Sequence, residues 1–252
     1  MLQIHQFPCL ADNYGFLLHD PDSGETAAID TPDGTEYMRQ AEARGWRITQ
    51  IWNTHWHPDH TGGNQAIVAA TAAHVCAPAE VERLTPVDTV VAAGDSLKLG
   101  RWTATVFGVA GHTNGHVAFH LPQAGIAFVG DSLFPLGCGR MFEGRPEQYW
   151  ASLQRIKTLP SNTVLYSAHE YAAANARFAL HADPDNAALQ GYAAEIDAKR
   201  AQGVPTVPTL LQRELAANPF LRANDPDMQA RWAAGGDPVA TFTALRAAKD
   251  AF

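Results

Sequence analysis

The chain holds only three cysteines, Cys9, Cys76 and Cys138, among 252 residues. The set is odd and none are at CxxC spacing, which argues against a disulfide framework and against a thiolate zinc site. Three reduced thiols in a reducing compartment are expected. No apolar run reaches the roughly 18 residues that a membrane-spanning helix needs. The opening segment, Met1-Leu2-Gln3-Ile4-His5-Gln6-Phe7-Pro8, has neither the basic region nor the apolar stretch of a signal peptide. It reads as the start of the fold, with the cytoplasm as the expected location and a monomer as the expected state. Basic excess is also missing: 18 Lys and Arg stand against 26 Asp and Glu, a formal charge of −8. Duplex binding rests on neutralising phosphates, so a nucleic-acid partner is disfavoured, although a locally basic pocket is compatible with this balance. There are no repeats, and no low-complexity segment beyond an alanine bias.

What is present is a change of period. Up to about residue 169, short β-rich runs alternate with turns and helices. Strands are expected at 14–19, 26–30, 48–53, 103–109, 115–121, 126–129 and 163–166, and helices at 36–44, 62–72 and 146–158. Beyond residue 169 the apolar residues take helical spacing, at 171–181, 187–201, 210–217, 227–233 and 239–248, and no strand pattern returns. A β-rich αβ domain over 1–169 followed by a helical domain over 170–252 is therefore expected.

Histidine is the unusual entry in the composition, with eleven copies. Four segments carry His or Asp just past the carboxyl end of an expected strand: His55-x-His57-x-Asp59-His60, His112, Asp131 and His169. Loops at strand carboxyl ends converge on one crevice in sheet proteins. In an extended segment residues i and i+2 point the same way, so His55 and His57 can chelate one ion. Asp59 and His60 follow as the chain turns and can face a second. One ion would then take His55, His57 and His112, the other Asp59, His60 and His169, and the two oxygens of Asp131 can bridge them. Imidazole and carboxylate suit zinc, iron or manganese. Two ions about 3.5–4 Å apart can share a water and bring its pKa near 7. His112 or His169 alone would read as a surface or hydrogen-bonded core histidine, and Asp131 alone as a cap. It is the set that points to metal. Asp30 fits equally a turn residue in Asp30-Thr31-Pro32-Asp33-Gly34 and a brace for a ligand histidine. His116, past a tight turn, reads as structural.

With these residues the sequence resembles the metallo-β-lactamase superfamily and, within it, the glyoxalase II (hydroxyacylglutathione hydrolase) family. The superfamily likeness rests on Thr54-His55-x-His57-x-Asp59-His60-x-Gly62-Gly63-Asn64, Gly111-His112-Thr113-x-Gly115-His116, Gly130-Asp131-Ser132-Leu133-Phe134 and Ala168-His169-Glu170-Tyr171. The narrower likeness rests on Gly137-Cys138-Gly139-Arg140-x-Phe142-Glu143-Gly144, Asn218-Pro219-Phe220-Leu221-Arg222 and the terminal Arg246-Ala247-Ala248-Lys249-Asp250-Ala251-Phe252.

The resemblance implies a four-layer αββα metallo-β-lactamase-type sandwich with a C-terminal α-helical domain. It implies hydrolysis of S-lactoylglutathione to glutathione and D-lactate, the second step of methylglyoxal detoxification, with two divalent ions, zinc foremost and iron or manganese as alternatives. Asp59 and Asp131 would be the catalytic carboxylates. Substrate contacts would fall to Arg140, Met141, Phe142, His169, Glu170, Tyr171, Arg246 and Lys249. Met141 stands where an aromatic or another large apolar residue is usual, Ala168 where Gly is common, and Ala172 where Thr is frequent. Other hydrolases of the same fold, a mononuclear-iron persulfide dioxygenase and a non-catalytic metal binder stay open as rivals. The −8 charge weighs against a nuclease, and the helical tail favours the thioesterase.

Overall fold

The structure is a computed structural model that describes every residue except 233 and 234. The last position expected for the 227–233 helix therefore lies outside the described residues. The chain divides into two compact units, Met1–Gly108 with Gly115–Gly130, and Val109–Asn114 with Asp131–Phe252.

The first unit runs β1 (Gln3–Cys9), β2 (Asn13–His19), β3 (Thr26–Ile29), α1 (Gly34–Ala43), β4 (Gln50–Trp52), α2 (Pro58–Thr61), α3 (Asn64–Thr71), β5 (His74–Ala77), β6 (Thr89–Val90), β7 (Ser96–Leu99), β8 (Trp102–Gly108), β9 (Val117–Leu121) and β10 (Ile126–Gly130). One sheet has the order β1-β2-β3-β4-β5-β6, antiparallel through β3 and parallel from there. In the other, β7 to β10 form an antiparallel meander. The inner faces meet through aromatic pairs: Phe16 against Phe128 at 5.4 Å and Trp52 against Phe119 at 5.6 Å between ring centroids.

On the outer face of the first sheet, Tyr37 and Ala41 of α1 and Ile67 of α3 pack with Phe7, Ile51 and Val75. Asp33 caps α1 by accepting from the Thr35 and Glu36 amides, which starts the helix two residues before the expected Glu36. Strands β1, β5, β6 and β7 escape the sequence reading. Strand β1 contains Pro8, tolerated because the strand is an edge, and the other three are two to four residues long, too short for a period to show.

The second unit contains α4 (Pro146–Lys157), β11 (Val164–Ser167), α5 (Ala172–Ala182), α6 (Ala187–Ala201), β12 (Thr209–Leu210), α7 (Leu211–Ala217), α8 (Pro226–Arg231) and α9 (Pro238–Ala251). The expectation that no strand returns after residue 169 is corrected by β12, whose two residues pair antiparallel with Val164 and Leu165. Alanines at 172, 176 and 179 let α5 lie close to Leu189, Tyr192 and Ile196 of α6. A second nucleus stacks Phe178 on Phe220 and sets Phe242 of α9 edge-on to Phe220 and Tyr149. Each of these fully buried rings contributes about 2–3 kcal/mol. Among the described residues, no helix is long and apolar enough to cross a membrane.

Candidate metal centre

Parallel strands β3 and β4 end side by side: Ile29 pairs with Trp52, and the Asp30 amide donates to the Trp52 carbonyl at 3.0 Å. The chain leaves the sheet there, and Pro58 opens the single turn of α2 that carries Asp59 and His60. Asp30, held at φ 46°, directs its carboxylate at three donors: the Thr54 amide at 2.7 Å, the Thr54 hydroxyl at 2.9 Å and His60 Nδ1 at 2.9 Å. A carboxylate can only accept, so His60 carries its proton on Nδ1 and offers the Nε2 lone pair, which lies 3.5 Å from Asp59 Oδ2.

Thr54 Oγ1, having given its proton to Asp30, accepts from His55 Nδ1 at 3.0 Å. The lone pair on His55 Nε2 then lies 3.0 Å from His57 Nδ1. Two nitrogens at that distance need a proton or a cation to join them. Both pairs, His55 with His57 and Asp59 with His60, present ligand atoms close enough to share an ion.

His116 stacks on His55, ring centroids 4.6 Å apart and planes within 14°. Gly130 sits at φ 50° below them, where a Cβ would come 2.6 Å from Thr54 Oγ1 and 2.8 Å from the His116 ring. Asn13, the first residue of β2 and not singled out in the sequence, donates to the Asp59 carbonyl at 3.1 Å and to Oδ2 at 3.3 Å.

In the second unit Asp131 follows the end of β10 and His169 the end of β11. The two carboxylate oxygens of Asp131 face different histidines: Oδ2 lies 3.5 Å from His112 Nε2 and Oδ1 lies 3.4 Å from His169 Nε2. His112 is fixed from behind, its Nδ1 donating to the Arg140 carbonyl at 2.7 Å. Tyr149, unremarked in the sequence, donates to the carbonyls of Asp131 (3.3 Å) and Ser132 (3.0 Å). The His169 ring is stacked on Tyr171 at 4.7 Å with planes 1° apart.

The residues expected to read a substrate fall into two groups. Arg140, Phe142 and Tyr171 present exposed surface. The Phe142 ring lies edge-on to His112 at 5.3 Å, and the Arg140 guanidinium stands 5.9 Å from the Phe142 ring. Met141 and Lys249 are half-buried, and the Lys249 ammonium lies 5.7 Å from the Phe178 ring. Glu170 and Arg246 are different. Both oxygens of Glu170 accept from Thr206, at 2.9 and 2.7 Å. Arg246 is buried, donating to the Cys138 carbonyl at 2.8 Å and to Asp250 at 2.9 Å.

The brace behind His60 leads to a quantitative expectation. Asp30→Ala frees the His60 ring and leaves Thr54 N–H unpaired, and carboxylates behind ligand histidines are typically worth 10–100-fold in metal affinity. A loss of about tenfold or more in zinc affinity is expected by chelator competition. Wild-type affinity in the variant would show that Asp30 serves the turn alone.

A profile described as Metallo-beta-lactamase superfamily matches residues 16–169, and one described as Hydroxyacylglutathione hydrolase C-terminus matches 170–252. A hydroxyacylglutathione hydrolase from Erythrobacter litoralis is 69% identical across the whole of both chains. One from Hyphomonas neptunium is 54% identical over all of this chain and 99% of its own. Among solved structures, ETHE1 from Myxococcus xanthus superposes with a TM-score of 0.70 at 22% identity, covering 96% of this chain and 89% of that one. The BLEG-1 B3 metallo-beta-lactamase gives 0.68 at 20% identity, covering 87% and 99%. At these identities the two structures speak for the fold alone.

Proposed function

Because the chain belongs to the hydroxyacylglutathione hydrolase family of the metallo-β-lactamase superfamily, we propose that it hydrolyses S-(2-hydroxyacyl)glutathione thioesters, S-lactoylglutathione foremost, to glutathione and the free hydroxy acid. The fold is the αββα metallo-β-lactamase type with a helical C-terminal region. Full-length identity of 69% to a hydrolase, against 22% to ETHE1, favours the thioesterase over the other chemistries of this fold.

The donors fit a pair of divalent ions. Bonds of about 2.0–2.1 Å at tetrahedral angles place neighbouring ligand atoms about 3.4 Å apart. The pairs Asp59–His60, His112–Asp131 and His169–Asp131 stand at 3.5, 3.5 and 3.4 Å, longer than a strong charged hydrogen bond and matched to that edge. In this reading His55, His57 and His112 would hold one ion, Asp59, His60 and His169 the other, and Asp131 would serve both. Neutral imidazoles with carboxylates favour zinc, and tolerate iron or manganese.

Divalent ions bound by these residues would supply Lewis acidity toward the thioester carbonyl and lower the pKa of a water toward neutrality. The chain's own part is orientation. Asp30 and the Arg140 carbonyl fix the His60 and His112 rings, and Tyr149 anchors the Asp131 backbone. Arg140, Met141, Phe142, Tyr171 and Lys249 are proposed to contact the glutathione portion, whose two carboxylates need local cations on an acidic chain. Glu170 and Arg246 serve that contact through the segments they hold. A division at 169/170, monomeric action on a freely diffusing thioester, and a reducing cytoplasm, which suits three free buried thiols, complete the proposal.

Asp131 carries the metal assignment, since its two oxygens face two different histidines. The test is thiol release from S-lactoylglutathione. Release is expected to stop after chelation and dialysis and to return with added zinc. Undiminished release from protein shown by elemental analysis to hold no metal would overturn the reading.

A further inference from the structure

The structure contains a buried polar network well behind the metal ligands, in the second unit, and it ends on a strained turn. Residues 134–137 form that turn, Phe134 and Gly137 exchanging backbone hydrogen bonds at 3.0 Å in both directions. Pro135 fills the position where a fixed φ helps. Leu136 fills the next position at φ 56°, in the left-handed region that ordinarily selects glycine. A bulky residue there persists only where its surroundings over-determine it, and such strain gathers at functional sites.

The surroundings here are side chains of the helices. Glu214 of α7, fully buried, accepts the Leu136 amide on Oε2 at 2.9 Å. Its other oxygen accepts from Tyr192 at 2.9 Å and from Thr209 at 2.8 Å. The Asn218 amide donates to the Phe134 carbonyl at 3.2 Å, the Gly137 carbonyl at 3.0 Å and Glu214 at 3.0 Å. Asn175 of α5 takes the Pro135 carbonyl at 3.2 Å. A Cβ on Gly137 would lie 2.4 Å from that Asn175 amide, so the turn is clamped on its far side as well. The Leu136 side chain is sealed among Ala172, Ala176 and Leu189.

A turn needs none of this merely to reverse the chain. What it carries is Phe134, whose ring lies edge-on to His169 at 6.1 Å and to Tyr171 at 5.2 Å. His169 and Tyr171 are the parallel ring stack of the candidate centre. We propose that Glu214 and Asn218 are positioning residues for the reaction: they fix the 134–137 turn, and through the Phe134 ring they set the His169–Tyr171 stack. The proposal rests on the thioesterase reading for its kinetic consequences. Burial raises the Glu214 carboxyl above the ordinary glutamate range, offset in part by the hydrogen bonds from Leu136, Thr209, Asn218 and Tyr192.

The test uses Glu214→Gln, Phe134→Leu and the double variant, each assayed well below its own unfolding midpoint. Phe134→Leu keeps an apolar side chain and removes the ring edge. Zinc affinity, read by competition with a chromophoric chelator in the absence of substrate, is expected to fall about tenfold in Glu214→Gln and about fivefold in Phe134→Leu. Turnover of S-lactoylglutathione should fall by similar factors. Because the residues act in series, the double variant should be no worse than Glu214→Gln alone. Single variants with wild-type zinc affinity and kcat, differing only in stability, would overturn the proposal, as would effects that multiply in the double variant. If Glu214→Gln does not fold, Phe134→Leu decides by itself. If the wild type releases no thiol, the thioesterase reading fails separately, and the zinc measurement still judges the network.

Discussion

Asp131→Ala is expected to abolish thioester hydrolysis, lowering kcat/KM by on the order of a thousandfold or more, while the protein remains folded. Asp131 is 6% exposed, and its oxygens stand 3.5 and 3.4 Å from the nitrogens of His112 and His169. Truncation removes one ligand from each proposed ion and the negative charge between them, so metal content should drop to about one ion per chain or fewer. The two packing nuclei of the second unit, around Leu136 and around Phe242, do not include Asp131, so circular dichroism should change little. Asp131→Asn separates charge from shape. A neutral amide keeps one oxygen and loses the second ligand site, and it should retain one ion and little activity. Full activity from metal-replete Asp131→Ala would sink the bridging assignment.

How far the sequence reaches depends on what kind of information each part needs. The proposed ligand set could be put forward from the sequence because its logic is local: residue type, two-residue spacing, and position after a strand. The β2, β8, β9 and β10 strands were legible because they run for five or more residues rich in β-branched, aromatic and other apolar side chains between turn residues, and the long helices because their apolar residues recur at helical spacing. Strands β6 and β12, two residues each, carry no period and exist through their partners.

Asp30 could not be decided, because Asp30-Thr31-Pro32-Asp33-Gly34 accounts for it equally well as turn chemistry. Only the fold brings it to His60, thirty positions away. Glu214 was invisible for the opposite reason. A glutamate in a helix of ordinary composition reads as a solvated residue, and its burial depends on Leu136 and Tyr192 arriving from elsewhere in the chain. Arg246 and Lys249 share a helical spacing that puts them on one face, and a cation near a helix end is favourable in water. That spacing carries no information on depth, and depth divides the pair.

Arg246→Ala and Lys249→Ala are therefore expected to act on different quantities. Arg246 is 6% exposed, and its guanidinium holds the carbonyls of Cys138 and Gly139 at 2.8 and 3.4 Å, packs 5.2 Å from the Phe220 ring and pairs with Asp250 at 2.9 Å. Removing it leaves a buried carbonyl without its charged donor, a cavity beside Phe220 and an Asp250 paired with Arg140 alone, at 3.4 Å. Charged hydrogen bonds and buried pairs of this kind are worth about 3 kcal/mol when one partner is deleted, which is about 10 °C of unfolding midpoint for a chain of this size. Activity should fall with every substrate, small neutral thioesters included, because the 138–140 segment also carries the carbonyl that holds His112.

Lys249 should leave the midpoint nearly unchanged. A screened contact to a glutathione carboxylate is worth roughly 1 kcal/mol, so Lys249→Ala should raise KM about fivefold with kcat little altered, and a thioester lacking carboxylates should show no loss. Burial, and next the neighbouring Arg246 charge, lower the Lys249 pKa below the ordinary lysine value. The cation is present below that lowered pKa and is lost as pH rises through it. Wild-type KM should therefore begin to climb at a less alkaline pH than a free lysine would give, and the climb should vanish in Lys249→Ala. A pH-independent wild-type KM across that range, or equal loss with both substrates in Lys249→Ala, would remove Lys249 from substrate recognition.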